Sequence, residues 1–194
     1  QPGGAARRGG EAGDDGITGG AGNDIMDAGD GVDTVSGNEG SDRILGGAGN
    51  DDLTGDAGDD FIDGGADVDV IRGSDGDDTL LAGDGHGGSI YGDAGTDWIG
   101  GSDGADTLRG GAGNDTVFGF AGADNVDGED GDDWVDAGDG DDAVTGSAGN
   151  DTLFGGAGND TLTGNLGRDR LFGEAGSDTI SGNEEADTLD GGSG

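Results

Sequence analysis

The chain has no cysteine and no lysine, a single histidine, and aromatic residues at only 4%. Without cysteine, no disulfide can supply stability, and cysteine usage leaves the redox compartment open. Lysine and cysteine nucleophiles are missing, and no serine is paired with a histidine base, so an enzyme is not expected. Cations are scarce as well: seven arginines stand against 45 acidic residues, for a formal charge of −38. A field of that sign repels nucleic acid. No apolar run reaches membrane-spanning length, and the opening QPGGAARRGG lacks the apolar core of a signal peptide. Beginning at Gln1, the chain is expected to be a processed product or an excised piece.

What is present is glycine, 53 of 194 residues, beside only 28% hydrophobic residues. Taken without its order, this is the composition of a disordered polyanion. The order says otherwise. From Gly10 the sequence divides into nine-residue units: GEAGDDGIT, GGAGNDIMD, AGDGVDTVS, GNEGSDRIL and onward to GNEEADTLD at 182–190. One unit, AGDGHGGSIY at 82–91, has ten residues, and the tail GGSG would begin another. Position eight is aliphatic throughout, from Ile17 to Leu189, and position six is aspartate in every unit but 82–91. Position four is glycine except at Asp67 and Glu185; position one is glycine, or alanine at Ala28, Ala82 and Ala137. A disordered linker would not hold four columns in register for so long.

These units resemble the GGxGxDxUx nonapeptide of the repeats-in-toxin (RTX) family, over about residues 10–194. The resemblance implies an all-β fold, a right-handed parallel β-roll with two units per coil and about ten coils. Six residues of each unit would form a turn and the last three a short strand. Residues 1–9 are then an N-terminal extension and 10–194 a single domain.

The residues give a reason for such a fold to bind metal. In a three-residue strand only the middle side chain points inward, so position eight makes a core one residue wide. Glycines let the turns aim carbonyl oxygens into a shared space, and the position-six aspartate adds a carboxylate. Oxygen-only ligation suits a hard cation, and a flexible cage of about 6–8 oxygens suits Ca²⁺ better than Mg²⁺. The expected ligands are Asp15, Asp24, Asp33, Asp42, Asp51, Asp60, Asp69, Asp78, Asp97, Asp106, Asp115, Asp124, Asp133, Asp142, Asp151, Asp160, Asp169, Asp178 and Asp187. Coils ~4.8 Å apart would share ions along each edge, so the Asp151 turn should share with those of Asp133 and Asp169. Nine gaps on each of two edges offer about eighteen sites, and their roughly +36 of charge nearly cancels the chain's own. Sites should be lost or degraded at unit 82–91, and turns distorted at Asp67 and Glu185. His86 lies in the irregular unit without ligand partners at zinc spacing and reads as a solvated loop residue.

Alternate units fall on opposite faces. The even units carry large apolar residues at positions seven and nine: Ile25, Leu45, Phe61, Leu81, Trp98, Phe118, Trp134, Phe154 and Phe172. Such a stripe marks a contact surface, or else cross-braces neighbouring strands. The odd face carries threonines interrupted by Arg72, Tyr91, Arg109 and Asp127, which disfavours a flat ice-binding array. No polar cap is visible at either end, so head-to-tail joining is a further expectation. With these features, the resemblance implies a calcium-binding structural domain of a secreted, extracellular or cell-surface bacterial protein that folds on binding calcium. The alternative is a self-assembling protomer of an extracellular filament, surface layer or adhesin.

Overall fold

The computed structural model describes residues 7–194. Every regular element among them is a β-strand, twenty-one in all. In chain order the odd strands build one eleven-stranded sheet and the even strands a ten-stranded one, each strand pairing with the next but one. All pairs are parallel, and the register offset is eighteen residues, as in Met26↔Ile44 and Val35↔Leu53, or nineteen where a pair spans the ten-residue unit, as in Ile71↔Ile90 and Leu80↔Ile99. Two nonapeptides therefore make one coil of a β-solenoid, and the two sheets face each other across it. The sheet of odd strands bears the aromatic stripe and is termed the aromatic sheet; the other is the polar sheet.

Most strands are six residues long, not three: Thr34–Glu39 and Asp52–Ala57 run from position seven of one unit through position three of the next. In these six-residue strands positions eight and one face inward, while seven, nine and two face out. Pairing skips position one and resumes at two and three, for example Asp27↔Leu45 and then Gly29↔Gly47. The backbone bends there, because position two is commonly left-handed: Gly47 has φ 108° and Asn38 φ 78°. The strand turns a corner while keeping its hydrogen bonds, which a reading of side-chain alternation alone missed.

The core is two facing files of aliphatic side chains. Met26, Ile44, Ile62, Leu80, Ile99, Val117, Val135, Leu153 and Leu171 line the aromatic sheet, and Val35 through Leu162 line the polar one, all at most 1% exposed. Position one completes the interior with glycine, or with buried Ala28, Ala82 and Ala137. Nothing larger stands there.

One expectation is refined and one needs correction. Asp67 and Glu185 keep a positive φ, but at 78° and 73° they fall below the 99–158° of the positive-φ glycines at position four, so the turns there are altered without being lost. Aspartate tolerates this at low cost because its short polar side chain bonds locally. A cap also exists. Arg7–Gly9, within the segment read as an extension, pairs with Ile25–Asp27 and sets Arg8 beside Met26 at the head of the aliphatic file. Arg8 Nη2 donates to the Gly19 carbonyl at 2.9 Å, placing a charged group over the end of the core.

Candidate metal centre

Each position-six aspartate sits just before a strand and turns its side chain inward beneath the turn. From Asp24 to Asp169 they are at most 3% exposed. Oδ1 of each accepts the backbone N–H of the aspartate one coil earlier: Asp42 from Asp24 (2.7 Å), Asp60 from Asp42 (2.7 Å), Asp151 from Asp133 (2.9 Å) and Asp169 from Asp151 (2.9 Å). The sequence-predicted residues thus form two columns, one along each edge. The first is unbroken from Asp24 through Asp78 and Asp97 to Asp187. The second runs Asp15–Asp33–Asp51–Asp69, then Asp106–Asp124–Asp142–Asp160–Asp178. Gly88 of the irregular unit takes the missing place, donating its N–H to Asp106 Oδ1 but offering no carboxylate in return.

The other oxygen is the one that matters. Oδ2 of Asp33, Asp42, Asp51, Asp60, Asp69, Asp78, Asp97, Asp115, Asp124, Asp133, Asp142, Asp151, Asp160, Asp169 and Asp178 is buried with no hydrogen-bond partner among the described residues. In the units that begin with glycine, it lies against that position-one glycine. A Cβ on Gly46 would come 2.6 Å from Asp51 Oδ2 and would also strike the Gly64 carbonyl oxygen of the next coil. The same pair of oxygens recurs at Gly55, Gly64, Gly73, Gly92, Gly110, Gly119 and Gly128. Position one is therefore small so that a carboxylate oxygen and a carbonyl oxygen can share that space. Its glycines are not the left-handed ones; those stand at positions two and four, as at Gly47 and Gly49.

Stacking ionised groups out of water is unfavourable, and their acidities show it. Burial first, then the charge of column neighbours, raises the pKa of Asp60, Asp69, Asp97 and Asp151 to about 6. Asp78, Asp124 and Asp133 rise to about 7, also chiefly through desolvation. The backbone N–H on each Oδ1 works the other way but does not win. The two arginine ion pairs of the described residues, Arg72–Asp52 and Arg109–Glu129, lie outside the columns.

An orphaned carboxylate oxygen beside a carbonyl oxygen, repeated coil after coil, fits a hard divalent cation. No three His, Cys, Asp or Glu side chains converge among the described residues, so one or two carboxylates per ion would act with backbone oxygens. That donor set suits calcium and gives a thiol- or imidazole-seeking metal nothing. His86 is exposed in the irregular turn.

Three features escaped the sequence reading. A second, outer ladder runs along position five, where Asn or Asp side chains accept the N–H one coil later: Asp132 from Asn150 (2.7 Å), Asp141 from Asn159 (2.7 Å). The frequent Asn and Asp at that position were the available signal. Phe120, at position two, lies just past the strand Thr116–Phe118, left-handed (φ 72°) and half exposed. Ser102 is buried at 4% exposure and binds Asp106.

The apolar stripe forms a continuous ring ladder. Trp98, Phe118, Trp134, Phe154 and Phe172 touch in order, with centroids 5.4, 5.0, 5.6 and 4.9 Å apart, and Phe120 stacks on Phe118 at 6.0 Å. Gly100 lies beneath the Trp98 indole, where a Cβ would stand 3.0 Å from its Cζ3. Phe61 carries the Arg43 guanidinium 4.2 Å above its ring. Trp98 and Phe120 are 37% and 50% exposed. Ile25 is exposed, and Leu45 and Leu81 are half-buried on the same sheet.

Fold and site together define a β-solenoid whose stacked turns present buried carboxylates to a hard cation. The family model of the RTX calcium-binding nonapeptide repeat, built on four copies, matches eight successive segments from 10–35 to 163–194. The chain belongs to this family: it is an RTX β-roll calcium-binding domain. A search of curated proteins gave no match.

Proposed function

We propose that the column aspartates whose Oδ2 is orphaned are calcium ligands, and that calcium binding drives folding of the roll. When bound, calcium supplies the positive charge that lets adjacent ionised carboxylates share one interior. The chain's part is to hold Oδ1 by the backbone ladder and keep Oδ2 clear of position one. The single observation behind this reading is the recurrence of a buried, partnerless carboxylate oxygen in coil after coil. A site absent from the unfolded chain makes binding energy into folding energy. Such a domain suits a secreted, extracellular or cell-surface bacterial protein, unfolded where calcium is scarce and folded where it is abundant. The columns offer up to about eighteen sites by gap counting. Circular dichroism during a calcium titration tests the coupling. A β-sheet spectrum should grow with calcium and vanish with chelator; a spectrum indifferent to chelator refutes it.

A second reading has its own observation. Exposed Trp98 and Phe120 sit on a ring ladder that runs along one sheet, a surface suited to a second copy of the chain. On this reading the domain is a protomer of an extracellular filament, surface layer or adhesin, joined through the aromatic face or end to end. Light scattering in calcium separates the two. Particles much longer than the ~50 Å of ten coils support assembly, and a monomer at high concentration supports the single module.

A further inference from the structure

The irregular coil holds an exception to the rule of orphaned oxygens. Asp106 Oδ2 accepts two hydrogen bonds, from Ser102 N–H (2.8 Å) and from Ser102 Oγ–H (3.1 Å). Ser102 Oγ in turn accepts the N–H groups of Gly87 and Gly104, each at 3.2 Å. Its two neighbours in kind behave differently. Ser74 and Ser147 occupy the same position two but are left-handed, with φ 91° and 80°, whereas Ser102 is not among the left-handed residues. Ser147 turns its hydroxyl outward to Asp127 (2.8 Å). Glu11, also at position two and not left-handed, likewise gives its N–H to the aspartate of its own unit, Asp15 Oδ2 (3.2 Å). The backbone state at position two thus decides whether Oδ2 is left free or tied.

The cause is local. Unit 82–91 brings one residue too many and no position-six aspartate, its one carboxylate being Asp84 at position three, so the gap facing Asp106 across Gly88 holds a single column aspartate instead of two. Gly87, in that unit, supplies an N–H that holds the Ser102 hydroxyl in place. Ser102 leaves the left-handed state, the aromatic-sheet strand stops at Gly100, and a cavity of about 370 Å³ opens between Gly83–Gly85, Gly101–Asp103 and Phe120.

We propose that Ser102 makes the Asp106 turn a cation-free staple, so that one of the two ion columns is divided at the irregular coil into two separate blocks. The proposal rests on the calcium reading of the columns. The hydroxyl and amide do for Asp106 what an ion does for its neighbours, supplying positive dipole to Oδ2 without charge. The irregular unit is then a built joint, and the roll takes fewer ions than gap counting gives.

Native mass spectrometry of the full chain at saturating calcium, with circular dichroism to confirm folding, counts the ions directly. Asp124→Asn, in an ordinary turn of the same column, should lose at least one ion. Asp106→Asn should bind as many as the parent. Ser102→Gly, which frees position two to go left-handed as Gly111 does, should gain one. An ion lost in Asp106→Asn, or none gained in Ser102→Gly, overturns the staple while leaving the calcium columns standing. A parent that binds no calcium overturns the column reading and the staple with it.

Discussion

At the scale of single residues, the site depends on what is absent from position one. A side chain at Gly46 would occupy the space of Asp51 Oδ2 and the Gly64 carbonyl together. Gly46→Leu is therefore expected to abolish binding at that turn and to lower the thermal midpoint of the calcium-loaded domain, read by calorimetry. Overpacking of this kind costs about 1–3 kcal/mol before any lost metal is counted. The aspartate columns were legible from sequence, because a carboxylate held in phase with glycine from Asp15 to Asp187, outside one unit, must stack coil upon coil. The function of position one was not. Glycine was read as a conformational need, whereas at Gly37, Gly46 and Gly55 it is a need for room. Ser102 was still less legible. Its role requires knowing that Gly87 lies within reach and that Gly88 stands where an aspartate should, and both follow from stacking, not from order along the chain.

At the scale of strands, the same periodicity was read correctly in phase and too short in length. Position eight does form the core, and coils do repeat at eighteen residues. Yet the hydrogen-bonded strand continues past its bend through Gly29 and Asp30, because left-handed residues at position two keep neighbouring coils parallel. Phe120 instead lies just past a strand that stops at Phe118, and it keeps the left-handed conformation of position two, unusual for a bulky residue (φ 72°). The aromatic ladder braces the strands it sits on, whatever else it meets. Trp134 touches both Phe118 and Phe154. At about 0.5–1.5 kcal/mol per ring pair, Trp134→Ala should destabilise the calcium-loaded roll by roughly 1–3 kcal/mol in denaturant unfolding. Leu153→Ala, in the fully buried file, should cost about 2–5 kcal/mol in the same assay.

At the scale of the whole molecule, electrostatics governs. Folding raises the pKa of the column aspartates from Asp42 to Asp169 above 3.8, to about 7 at Asp78, Asp124 and Asp133. Between those limits the folded chain holds protons that the unfolded chain has released. Metal-free stability is therefore greatest below the unfolded pKa and falls as pH rises through the folded values. In chelator, lowering the pH from about 7.5 to about 4 should raise β-structure and compactness, measured by circular dichroism. Calcium should act oppositely in pH, binding more tightly as the aspartates lose their protons. Proton and ion are alternative ways to relieve the same repulsion. In physical terms the sequence announced that repulsion plainly, through −38 of formal charge, but not where it was relieved without either.

Small-angle X-ray scattering at neutral pH, with and without calcium, is the most direct test of the claim that a divalent ion holds the layers together. With calcium the radius of gyration should be roughly 16 Å, that of a compact chain of this length; in chelator it should approach roughly 45 Å, that of an unfolded one. A compact rod of unchanged dimensions in metal-free buffer would contradict the account.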